Sequence, residues 1–176
     1  MDPPLSWMLF LLPAIIVVAG LLWYSRSREA RLRAAARQYA VGRGLMIHDV
    51  KRNTIWTQGR HLGTRLREFN VAQYALGVDT SLGAQWLFLQ EWEDKDRRFP
   101  GIWRLESKVV EPTEDQLKIL NEIASDAQWS EEYLELEYAP GRVSVYWDEL
   151  GGASGAQKVC GYLFGLAASA RRVHEP

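Results

Sequence analysis

The sequence predicts an α+β protein. A single N-terminal transmembrane helix continues into an arginine-rich juxtamembrane helix, and a small antiparallel-sheet domain with two packed helices follows. Three observations carry that reading. Residues 5–24 (LSWMLFLLPAIIVVAGLLWY) form an uncharged run of twenty, and about twenty apolar residues at 1.5 Å rise match a ~30 Å hydrocarbon core. The next thirteen residues carry five arginines. From residue 45 onward, short apolar runs with strand-like alternation are interrupted by two helical stretches.

The first element is read as a span because the alternatives fit less well. No positive side chain precedes the run, as a signal peptide requires, and only Ser6 within it is polar, unlike a core helix. Trp7, Trp23 and Tyr24 sit at its two ends, where amphipathic rings favour the interfaces. Pro13 is expected to kink it. The Lys/Arg asymmetry then predicts a single-pass inner-membrane protein with a short N-terminus outside and a cytoplasmic C-terminal domain. Cys160 is the only cysteine, so no disulfide forms within the chain, in keeping with a reducing compartment.

Charge is segregated behind the run. Residues 25–67 hold eleven Lys/Arg against Glu29 and Asp49, whereas residues 68–150 hold eighteen acidic side chains against seven basic ones. Arg26, Arg28, Arg31, Arg33 and Arg37 therefore read as a membrane-surface collar facing the lipid bilayer. Nucleic acid is disfavoured as a partner, because the acidic body repels phosphate.

The remaining elements follow in order. A helix continuing through residues 27–42 carries Leu32, Ala35, Ala36 and Tyr39 as one stripe, and Gly42 and Gly44 end it. Residues 45–50 and 54–58 read as strands around a turn at 51–53, and residues 66–75 as another. Residues 84–92 alternate Trp86, Phe88 and Trp92 with Leu87 and Leu89, the pattern of a central strand. A charged turn over 93–98 leads to a strand at 101–106. Thr113 and Gln116 form a capping box for a helix at 114–127, with Leu117, Leu120, Ile123, Ala124 and Ala127 on its apolar face. A hairpin pairs residues 133–138 with 142–148 around Pro140-Gly141, one face core and the other wet. A flexible linker at 151–155 precedes a last helix at 156–171. The chain thus divides into an anchor (1–24), a juxtamembrane helix (25–44) and a cytoplasmic domain (45–176).

Chemistry-bearing motifs are sparse. His48, His61 and His174 lie too far apart for a local metal set. Glu91, Glu93, Asp94 and Asp96 are interleaved with Lys95, Arg97 and Arg98, the composition of a self-neutralised loop. Residues 151–155 precede Lys158 without phosphate-loop spacing. Gly161 and Gly165 form a small-residue ladder suited to close helix contact, and Trp56, Trp103 and Trp129 are further candidates for an interaction face. No cofactor is expected. The function expected is that of a membrane-anchored, non-enzymatic accessory protein, a subunit or scaffold of a membrane-protein complex, possible as a homo-oligomer. The alternatives are a small-molecule or lipid-binding module with a Trp-lined pocket, or a membrane-proximal enzyme using the acidic cluster.

Overall fold

A computed structural model of the chain describes residues 6–57, 64–78, 86–91, 102–107, 112–130 and 134–172. Among these residues, three α-helices and a six-stranded antiparallel sheet make an α+β fold. Strands β1 (Met46–Thr57) and β2 (Thr64–Gly77) pair without interruption from Met46 opposite Ala75 to Thr57 opposite Thr64. The other strands are β3 (Trp86–Glu91), β4 (Ile102–Ser107), β5 (Leu134–Ala139) and β6 (Arg142–Trp147). Their order across the sheet is β1-β2-β6-β5-β3-β4. The tight hairpin β5–β6 sits at its middle, and Gly141 takes φ +79°, which the second central position of a type II turn demands.

The helices cover one face. They are α1 (Ser6–Val41), α2 (Glu114–Ser125) and α3 (Gly152–Arg172), with a 3₁₀ turn at Ala127–Ser130. Tyr74, Trp86, Phe88, Leu134, Leu136, Tyr138, Val143, Val145 and Trp147 point toward them and meet Leu120, Ile123, Val159, Leu163 and Leu166 in one core. Rings order this layer: Trp86 stacks on Tyr138, and Trp147 meets both Tyr74 and Trp129 edge to face. The capping box is complete, since the Thr113 hydroxyl accepts from the Gln116 amide and the Gln116 side chain accepts from the Thr113 amide.

The opposite face is closed by the sheet itself. Arg52 of β1 lies 3.8 Å above the Tyr146 ring of β6 and pairs at 2.9 Å with Glu135 of β5, although β2 and β6 separate β1 from β5 in the sheet. Only an arching β1–β2 ribbon brings those groups together. Beneath it Val71, Gln73, Ala75, Glu135, Ser144 and Tyr146 are buried. Gln73 donates to the Ser144 and Tyr146 hydroxyls, and Tyr146 donates to Glu137 at 2.6 Å.

Several expectations are corrected here. Among the described residues no helix is long and apolar enough to cross a membrane, which overturns the single-pass inner-membrane location, with its N-terminus outside and its C-terminal domain cytoplasmic. The turn at 51–53 does not exist, because Lys51, Arg52 and Asn53 stay in register with Asn70, Phe69 and Glu68; charge without Gly or Pro does not break a ladder. The second face of the β5–β6 hairpin is not wet, because the ribbon covers it. Residues 152–155 are the first turn of α3 rather than a linker. The inner face of α2 is Gln116, Leu120 and Ile123, while Leu117, Ala124 and Ala127 are exposed. Among the described side chains of α1, Ala36 and Ala40 are buried and Ala35 is exposed. Strand β3 lies one place from the sheet edge, next to β4, not at its centre.

Candidate functional site

The most heavily determined polar site is the joint between α1 and the body. Leu32 of α1 meets Gly152 at the start of α3, and a Cβ on Gly152 would approach its Cδ2 to 2.9 Å. One turn on, Ala36 and Ala40 are fully buried. Between them Arg37 reaches Glu149, the residue after which the chain turns from β6 into α3. Its Nε donates to Oε1 and Oε2 at 2.9 and 3.1 Å, and its guanidinium Nη2 to Oε2 at 2.9 Å. The same Nη2 donates to Asp49 of β1 at 2.5 Å, and the Tyr74 hydroxyl donates to Glu149 Oε1 at 2.9 Å. Glu149 is 2 % exposed and adopts φ +64°, a left-handed conformation costing roughly 1–2 kcal/mol in a non-glycine residue. Charge-assisted hydrogen bonds of roughly 1.5–3 kcal/mol each offset that cost.

The electrostatics follow from these contacts. Hydrogen bonds to Glu149 and then Asp49 push the Arg37 guanidinium further up, so it stays charged. The Arg37 hydrogen bond holds the Asp49 carboxyl below the usual carboxylate range. Burial, reinforced by the Glu149 charge, raises the Tyr74 hydroxyl. Under the ribbon, burial and then the bond to Glu137 push Tyr146 up to about 12. Both tyrosines are therefore neutral donors. Beside the joint opens a cleft of about 590 Å³ lined by Arg33, Arg37, Asp49, Lys51, Asn70 and Asp148 among others.

Beyond the joint, α1 stands away from the body. From Leu12 to Tyr24 its large apolar side chains are 55–74 % exposed. Ala14, Ile15, Val18, Ala19 and Leu22 line a shallow apolar groove of about 330 Å³ along one side.

The residues singled out from sequence are dispersed. Arg26, Arg28 and Arg31 are exposed on α1, where Arg31 donates to the Ser27 carbonyl. Arg33 is half-buried and Arg37 belongs to the joint. Trp129 is fully buried and donates to the Tyr162 hydroxyl at 3.2 Å, and Trp103 stacks on Phe88 with centroids 4.8 Å apart. The Trp56 side chain, with Trp92, His61, Glu93, Asp94, Asp96 and His174, lies outside the described residues. Gly161 lines a groove between α2 and α3, and Gly165 packs so that a Cβ would stand 3.0 Å from Ile119 Cδ1. His48 is exposed on β1, and burial raises the Cys160 thiol. Among the described residues no group of three or more His, Cys, Asp and Glu is placed to hold a metal ion. Sequence reasoning missed Asp49, Tyr74 and Glu149 as one unit, and no local signal links them, since Glu149 lies 112 residues from Arg37. No family model, curated protein or solved structure matches the chain.

Proposed function

We propose that the chain is a non-enzymatic interaction protein, a subunit or scaffold of a protein complex, whose α+β body holds out the apolar arm of α1 for a partner. The single observation that carries this reading is the exposure of residues 12–24 on a helix fixed at its other end by the Arg37–Glu149 joint. Full burial of a Val, Leu or Ile side chain contributes about 1.5–3 kcal/mol. One side of the arm presents Ile15, Val18 and Leu22 together, so contact with a partner helix recovers several kcal/mol before any ordering cost. That cost is small, because the arm is already helical. The Trp-lined pocket has less support: Trp86, Trp129 and Trp147 are core residues.

Photo-crosslinking tests the proposal. A photoreactive side chain is placed at Ile15, Val18 or Leu22, with Glu114 on the exposed start of α2 as reference, and the expressing cells are irradiated. Discrete protein adducts from the three arm positions and none from Glu114 are expected. Adducts to lipid alone, or equal adducts from all four positions, would overturn it.

A further inference from the structure

We propose that the cleft beside the α1 joint binds a small oxyanion, the carboxylate or phosphate group of a low-molecular-weight ligand, with Arg33 as its anchor. Arg33 and Arg37 are four residues apart on α1 and share a side, yet their circumstances differ. Arg37 spends its donors on Glu149 and Asp49. Arg33 lines the same cleft, and its Nε is buried without a hydrogen-bond partner. A buried donor left unpaired is costly, and a cation's more so; an oxyanion accepting from that Nε removes the penalty.

Two neighbours fit the same ligand. Lys51 lies two residues from Asp49 on β1, which places both on one side of the strand, and its ammonium brings a second positive charge to the lining. Asn70 stands opposite Lys51 across the ribbon and adds an amide. The oxyanion is thus met from a helix and from a strand pair, both held in place by the Arg37 clasp. Asp49, Asp148 and Glu149 line the same cleft and balance the three cations. That balance selects a small anion or a zwitterion over a polyanion, whose further charges would meet the carboxylates. The volume also suits a small molecule.

The experiment uses the full ¹⁵N-labelled chain, reading the Arg33 Nε–H and Asn70 side-chain amide resonances. Inorganic phosphate and acetate are titrated separately, against sodium chloride at matched ionic strength. Saturable displacement of both resonances by phosphate or acetate, with chloride inert, is expected. Arg33→Lys keeps the charge and the Arg37 clasp but removes the Nε, so the Asn70 midpoint should rise at least tenfold while the melting temperature stays put. Displacement that is linear or reproduced by chloride would overturn the proposal, as would an unchanged midpoint in Arg33→Lys. Neither result bears on the arm, whose crosslinks are read separately.

Discussion

A carboxylate that is 2 % exposed persists in a protein interior only where its donors are fixed, and Glu149 takes its donors from two distant elements, α1 and β2. The two halves of this ion pair are therefore unequal. Removing Arg37 strands a buried charge, whereas removing Glu149 leaves Arg37 beside Asp49 and partly in water. Arg37→Ala should cost about 3–5 kcal/mol and Glu149→Ala distinctly less, with the unpaired Tyr74 hydroxyl as its main penalty. Chemical denaturation of both variants checks the ranking. A second prediction concerns acid. Burial alone would raise the Asp126 carboxyl, but Lys158 at 2.5 Å and the Gln128 amide hold it below the usual range. A carboxyl depressed in the folded state adds stability above its unfolded pKa of about 3.9, and that stability fades as pH falls through the lower folded value. Asp126→Asn should accordingly flatten the drop in melting temperature between pH 5 and pH 3. The sequence displays Arg37 as a cation, but its partner is too far along the chain for any local pattern to name.

At the scale of elements, the features legible in the sequence are those whose cause is local. The Thr113–Gln116 capping box and the Pro140-Gly141 hairpin each rest on neighbours a few residues apart, and both occur as read. The register of Leu134, Leu136 and Tyr138 against Val143, Val145 and Trp147 was readable for the same reason. What covers the other face was not, because an arching ribbon sixty or more residues upstream supplies it. The site residues divide alike: Trp129 reads as a large ring, yet its burial depends on α3 and β6. Residues 151–155 show how composition misleads, since glycine there serves close approach rather than flexibility. A Cβ on Gly155 would stand 2.8 Å from Trp147 Cζ3, while one on Gly161 would meet nothing within 4 Å. Gly155→Ala should destabilise by about 1–3 kcal/mol through overpacking. Gly161→Ala, in the same helix, should stabilise by roughly 0.5–1 kcal/mol. Thermal melts of the pair separate the two uses of glycine.

At the scale of the molecule, α1 is one helix with two roles: its last three turns complete the core, and its large apolar side chains from Leu12 to Tyr24 are exposed. Deleting residues 1–24 should leave a cooperative melt close to that of the full chain. Extending the deletion through residue 41 removes Ala36, Arg37 and Ala40, and should lower the midpoint by upwards of ~10 °C or abolish the transition. Circular dichroism of the two truncations decides between a shared core and a helix merely attached. The joint also imposes a schedule on the chain's making. Arg37 leaves the ribosome long before Glu149, which is 112 residues further on, and at 5–20 residues per second the delay is roughly 6–20 s. Strand β2 waits as well, because its inner neighbour β6 is among the last strands made. For that interval Ala36, Ala40 and the whole apolar arm have no native surface to meet. The nascent chain must either hold its first helix uncovered or lend it to another molecule, and the arm's eventual partner has its earliest opportunity before the body exists.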